Sequence, residues 1–217
     1  MDILQSALLY AKKQFEHEAS GHDFQHTLRV YRMALRLAEA EGADQNIVAL
    51  AAILHDVDDY KLFGSPQGST QNAEEFMHRE HCAKTTIDEV SEIIRTLSFK
   101  GTSTQSCRTL EGKIVQDADR LDAIGAIGIA RAFTFGGNRN RILHDPTISP
   151  NLQMDAAAYV NHQGTTINHF YEKLILLKEQ MNTQSAKVIA EHRHAVLIDF
   201  LHEFTLEWDA KDADFPH

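Results

Sequence analysis

Apolar residues recur every three or four positions along most of the chain, the spacing that turns one face of an α-helix towards a core. Residues 2–18 carry Ile3, Leu4, Ala7, Leu8, Ala11 and Phe15 on such a face. A second helix is predicted over 23–41, after Gly21, with Leu28, Val30, Met33, Ala34 and Leu37 as its apolar positions. Gly42 ends it, and Asp44 is placed to cap a third helix running to about 57. The segment NIVALAAILHDV is apolar nearly all round, which predicts a central, buried helix. Polar and turn-forming residues at 60–72, from Gly64 to Ser69, mark a loop.

Helical spacing resumes over 72–80 and 84–97, and KGTSTQSCR at 100–108 reads as a second loop. One helix is predicted over 109–133. Its interior Gly125 and Gly128 each cost about 1 kcal/mol relative to Ala, a cost most simply offset by close approach of another backbone. Residues 136–154, with Gly136, Gly137, Pro146 and Pro150, are predicted irregular, and helices over 155–181 and 184–208 follow. No segment has the alternation of a strand, so the fold class is all-α. The pattern fits a single domain over 1–217, with a site-bearing core over about 20–135 and a C-terminal helical pair over about 155–208.

Composition narrows the partners. Hydrophobic residues at 43% and charged residues at 24% suit a globular protein of 217 residues with a core large enough to need no disulfides. Cys82 and Cys107 match no zinc spacing and read as reduced thiols of a cytoplasmic protein. The opening MDILQSALLYAKKQF lacks a signal peptide's basic start and cleavage site, so it reads as the first helix. No apolar stretch nears the roughly 20 residues that span a bilayer, which argues against a membrane protein. A net charge of −10 without Lys/Arg runs argues against nucleic acid, while a small phosphorylated molecule bound through a metal and a few local cations remains open. So does a homo-oligomer.

The 13 histidines direct attention to metal chemistry. His55-Asp56 sits at the polar end of the apolar third helix, where an ionisable pair is costly unless paired or bound to metal. GHDFQH supplies His22 and His26, and DADRLD supplies Asp117, Asp119 and Asp122 on a helix with an apolar opposite face. Mixed imidazole and carboxylate ligands from several elements suit a divalent cation.

In this order and context, His26, then His55-Asp56, then an Asp in ADRL resembles the HD superfamily of metal-dependent phosphohydrolases. GHDFQHTLRV, AAILHDVDDYK, LSFKG, DADRLDAIGAIGIARAF and TTINHFYEKL extend the likeness over most of the chain, to a subgroup of small bacterial and fungal HD hydrolases. The resemblance implies a helical bundle of the HD-domain type and His26, His55, Asp56 and Asp119 as metal ligands. Asp119 is preferred to Asp117 because the superfamily ligand follows an Ala and precedes a hydrophobic segment. The two aspartates lie about 200° apart around a helix. Some HD enzymes hold a second metal on extra histidines, and His78 and His81 occupy that interval. Read as exposed polar residues, they leave one divalent cation per chain: manganese, magnesium, iron or cobalt.

Such a metal activates water for attack on phosphorus. Asp58 or Asp59 could take the water's proton, and register within the superfamily favours Asp59, with Lys61 beside it as its catalytic companion. Phosphate anchors are expected among Arg29, Lys100 and Arg120, although Arg29 could instead pair with a neighbouring carboxylate. The resemblance adds His169 and Lys173 as pocket members. Gly136 and Gly137 suit a lid, with Arg139 and Arg141 near a polyphosphate. One activity of the subgroup, hydrolysis of (deoxy)nucleoside triphosphates to monophosphate and pyrophosphate, is the leading expectation. A nucleotidase or phosphodiesterase, a two-iron HD-type oxygenase and a non-catalytic metal-binding module are the alternatives.

Overall fold

The computed structural model describes residues 2–16, 18, 21, 23–59, 66, 68–97, 107–152 and 164–213. Helices α1 (Ile3–Gln14), α2 (Phe24–Glu41) and α3 (Gln45–Leu54) come first. They are followed by α4 (Gln71–Arg79), α5 (Lys84–Leu97), α6 (Leu110–Asp122) and α7 (Gly125–Asn138). Helix α8 (Thr166–Glu172), a 3-10 helix (Leu174–Gln180) and α9 (Gln184–Trp208) complete the described order. No strand occurs among the described residues.

Helix α3 is central because its sequence leaves it no other place. Every residue from Val48 to Leu54 is buried, and α1, α2, α5 and α6 pack around it. Burying Val48, Leu50, Ile53 and Leu54 contributes about 1.5–3 kcal/mol each. Asp44 starts the helix by accepting hydrogen bonds from the backbone N–H groups of Asn46 and Ile47. Helix α2 is bounded as firmly: the Asp23 carboxylate accepts from His26 N–H, and Gly42 at φ 73° closes the other end with its N–H on Ala38 O.

At the end of α3, His55 keeps helical dihedrals and the chain turns, with Asp59 N–H donating to Asp56 O at 3.0 Å. The turn is clamped from outside. Asp58, 5% exposed, accepts from the N–H groups of Asn72 and Ala73 at 2.9 and 3.0 Å, while Asn72 Nδ2 donates to Val57 O. A carboxylate at the start of α4 is electrostatically favoured, and here it fixes the turn carrying His55 and Asp56.

Three expectations are corrected. The single helix over 109–133 is two, α6 and α7, because the chain turns at Ala123 and Ile124 and passes through Gly125 at φ 74°. A Cβ on Gly125 would stand 3.0 Å from Arg193 Cγ, and one on Gly128 would stand 2.3 Å from Ala123 O. The backbone approach that offsets Gly128 is thus made by the turn preceding its own helix. Gly136 and Gly137 belong to the last turn of α7 and form no lid hinge.

The helix over 155–181 is also divided in its described part. Thr165 caps α8 through Asn168 N–H, and Lys173, at φ −140° and ψ −56°, separates α8 from the 3-10 turns. Residues 153–163 of that predicted helix lie outside the described residues. Helix α9 follows the predicted bounds, and Thr183 caps it through Ala186 N–H.

Gly128→Ala is expected to cost about 1–3 kcal/mol through overpacking against Ala123 O. Urea unfolding should show a lower midpoint at an unchanged slope.

Candidate metal centre

Four side chains from three elements converge near one point. His26 comes from the first turn of α2, His55 and Asp56 from the end of α3, and Asp119 from α6. His26 Nε2 lies 3.3 Å from His55 Nε2, 3.4 Å from Asp56 Oδ2 and 3.5 Å from Asp119 Oδ1. His55 Nε2 lies 3.3 Å from Asp56 Oδ2 and 4.0 Å from Asp119 Oδ1. Ligands held about 2.0–2.2 Å from one ion stand about 3.0–3.5 Å apart when adjacent and somewhat over 4 Å when opposite. The separations among His26, His55 and Asp56 fall in that range and make these three the tight group, with Asp119 facing both imidazoles from the open side.

The donor set therefore fits a divalent cation of the intermediate type that accepts both imidazole and carboxylate. Ring orientation agrees. His55 Nδ1 is 2.8 Å from Ala52 O and His26 Nδ1 is 2.7 Å from Asp122 Oδ2, so each ring makes its outer bond through Nδ1 and turns Nε2 inward. Side-chain exposure is 0% for His26, 3% for His55 and 13% for Asp56, against 37% for Asp119. The centre consequently opens on the Asp119 side.

Electrostatics follow from the crowding. Burial opposes a charge on His55, but the charge and hydrogen bond of Asp56, helped by Asp119, outweigh it and raise the imidazole pKa to about 9. Behind His26, Asp122 is also buried, which disfavours its ionised form. Hydrogen bonds from His26 and Arg29 and the charge of Arg131 outweigh that and hold its carboxyl well below the usual range. Arg29 donates through Nε and a terminal nitrogen at 2.7 and 3.0 Å, and Arg131 through a terminal nitrogen at 2.9 Å.

Asp117, two residues from Asp119, points elsewhere. It is fully buried, and its oxygens accept from Asn182 N–H and Nδ2 and from Thr183 N–H and Oγ1, all at 2.8–2.9 Å. It ties α6 to the start of α9 and has no lone pair turned to the centre.

The expected phosphate anchors divide. Arg29 is engaged with Asp122, the ion pair that was its alternative reading, and Arg120 is 9% exposed with its guanidinium on the Gln180 carbonyl. Neighbours on a helix diverge by about 100°, which takes Arg120 away from the face of Asp119. Asp59 is half-buried in the turn beside Asp56, whereas Asp58 is consumed by α4. Lys61, Lys100 and His22 lie outside the described residues. His169 lies in α8 and Lys173 at its end, both half-buried. Arg139 stacks over Phe135, its guanidinium carbon 5.4 Å from the ring centroid.

His78 and His81 are exposed, and neither joins the group formed by His26, His55 and Asp56 among the described residues. Sequence reasoning gave no role to Asp122 or Arg131. The available signal was spacing: Asp122 follows Asp119 by three, so both carboxylates lie on one helix face.

The model of the HD domain family matches residues 23–124, which hold all four converging side chains. An uncharacterized protein of Bacillus subtilis (strain 168), YpgQ, is 37% identical over 199 residues, covering 91% of this chain and 89% of its own length. Among crystal structures, a Lactobacillus plantarum protein is 41% identical with a TM-score of 0.86, over 96% of this chain and 97% of its own. An HD-superfamily hydrolase from Bacillus thuringiensis is 39% identical with a TM-score of 0.74, over 95% and 97%. Bacillus subtilis YpgQ in complex with ADP is 34% identical with a TM-score of 0.73, over 94% and 97%.

Asp117→Ala should lower folding stability by about 3 kcal/mol or more, since it strands buried donors, and leave binding of Mn2+ to the folded fraction near wild type. Asp119→Ala should do the reverse, weakening Mn2+ binding by at least about 100-fold with little change in the metal-free urea midpoint. A second expectation concerns pH. A folded pKa near 9 for His55 exceeds the unfolded value of about 6.5. Its contribution to the metal-free fold is then complete below about 6.5 and fades as pH rises through about 9. Urea midpoints of metal-free wild type and His55→Gln should converge over that window.

Proposed function

The chain belongs to the HD domain family of metal-dependent phosphohydrolases, and we propose that its substrate is a nucleotide, hydrolysed from (deoxy)nucleoside triphosphate to monophosphate and pyrophosphate. The observation that carries the reading is the convergence of His26 Nε2, His55 Nε2, Asp56 Oδ2 and Asp119 Oδ1 on one point. The ADP found in the structure of Bacillus subtilis YpgQ supports a nucleotide as the ligand class.

His26, His55, Asp56 and Asp119 hold the cation in this reading. A bound divalent cation would acidify a coordinated water and draw charge from a phosphoryl oxygen. The chain's own groups do the rest. Asp59, in the turn that Asp58 clamps to α4, takes the proton of the attacking water. Hydrolysis then breaks the bond between the α-phosphorus and its bridging oxygen, and pyrophosphate leaves with that oxygen. Substrate enters from the exposed Asp119 side, because His26 and His55 close the other. His169 and Lys173 serve as pocket members. No helix among the described residues is long and apolar enough to cross a membrane.

A panel of ribo- and deoxyribonucleoside triphosphates with added Mn2+, resolved by chromatography, tests this. Monophosphate and pyrophosphate in equal amounts are expected. His55→Ala and Asp56→Ala should lose several kcal/mol of transition-state stabilisation, about 100–1000-fold in kcat. Orthophosphate without pyrophosphate would overturn the proposed bond cleavage and point to a nucleotidase.

A further inference from the structure

Asp122 lies on the far side of His26 from the centre, and its surroundings exceed what a helix tie requires. Its Oδ2 accepts from His26 Nδ1 at 2.7 Å, from an Arg29 terminal nitrogen at 3.0 Å and from an Arg131 terminal nitrogen at 2.9 Å. Its Oδ1 accepts Arg29 Nε at 2.7 Å. Arg131 Nε also donates to Gly21 O, just ahead of α2. With guanidinium N–H groups directed at both oxygens, a carboxyl proton would meet a donor wherever it sat. The hydrogen in the His26–Asp122 bond therefore belongs to Nδ1 of the imidazole. A neutral ring then has its lone pair on Nε2, the atom that faces His55, Asp56 and Asp119.

His26 has 0% exposed surface, so water cannot supply this orientation in place of Asp122. Rotating the ring would strand an Nδ1–H donor in the interior, which carries its own desolvation cost. A carboxylate held by two arginines also keeps its position from α2, α6 and α7 together.

We propose that Asp122 is a positioning residue for the metal centre: it holds His26 in the Nδ1–H form, with Nε2 presented to the ion, and Arg29 and Arg131 hold the carboxylate for that task. This rests on the metal-centre reading above. It predicts that Asp122→Asn, which keeps the shape and removes the charge, weakens binding of Mn2+ by about 10–100-fold. The weakening should appear even where the urea midpoint shows the variant to be folded. Asp122→Glu should recover part of the affinity.

The direct readout is the 15N-histidine spectrum of the metal-free protein. Wild type should show a hydrogen-bonded, downfield Nδ1–H on His26 that disappears or moves upfield in Asp122→Asn. Arg131→Gln, which loosens the carboxylate but leaves Arg29 and His26 on it, should weaken Mn2+ binding less than Asp122→Asn does and retain the signal. Wild-type Mn2+ affinity in folded Asp122→Asn would overturn the proposal, as would a wild-type His26 protonated on Nε2 alone. If Asp122→Asn does not fold, the wild-type spectrum decides. A wild-type chain with the signal but no Mn2+ binding overturns the metal reading and this role together. Mn2+ binding that ignores Asp122 overturns this role alone.

Discussion

The constraint on which the rest depends is the meeting of two imidazole nitrogens with two carboxylates, each nitrogen 3.3–4.0 Å from its partner and from an oxygen of Asp56 and of Asp119, at the end of a helix that is apolar from Ile47 to Leu54. Polar groups in such a place are expensive unless each has a partner. A divalent cation would satisfy all four together. Without one, the charge and hydrogen bond of Asp56 and the charge of Asp119 make His55 take up a proton more readily than an ordinary histidine. The surrounding structure serves to keep the four from separating. Asp23 fixes the start of α2 through His26 N–H, and Asp58 fixes the turn after α3 by accepting from α4.

Helix α6 shows how one short sequence is divided among three tasks. Asp117, Asp119 and Asp122 share a single stretch of helix, yet the rotation of about 100° per residue sends them different ways. Asp117 faces α9 and anchors its start at Thr183. Asp119 and Asp122, three apart, address opposite nitrogens of the same ring: Asp119 Oδ1 stands 3.5 Å from His26 Nε2, and Asp122 Oδ2 stands 2.7 Å from Nδ1. One imidazole is thus held between two carboxylates of one helix.

Periodicity made most helices legible, because burial of one face is what the apolar spacing records. Helices α3, α5 and α9 needed little more. The breaks were less visible. Gly125 can be seen in the sequence, but its φ of 74° and the Arg193 side chain packed where a Cβ would stand are visible only in the fold. Between α8 and the 3-10 helix the apolar spacing continues without interruption, since a three-residue period and a 3.6-residue period bury nearly the same positions over seven residues. In the centre, His26, His55, Asp56 and Asp119 were nameable from the order of ligand types and from family resemblance. Asp122 was not assigned, because its task is defined by a ring 96 positions away in the chain. Spacing alone cannot show which side of that ring a carboxylate will meet.

For Arg29 the sequence left two roles open, contact with phosphate or an ion pair with a neighbouring carboxylate. Arg29 takes the second, and both it and Arg131 bind Asp122, behind His26. Their effect on an anion need not vanish with the contact. A divalent ion would balance the charges of Asp56 and Asp119, whereas two guanidiniums around the single carboxylate of Asp122 leave one positive charge in excess. That charge is only partly sheltered from solvent, the Arg29 side chain being 32% and the Arg131 side chain 15% exposed, and it lies directly behind the fully buried His26. A side chain reaching a phosphate through solvent would lose much of its attraction to water and counterions. The same charge placed one layer back raises the potential at the centre without competing for its coordination sites, and it holds the ring that the centre is built on.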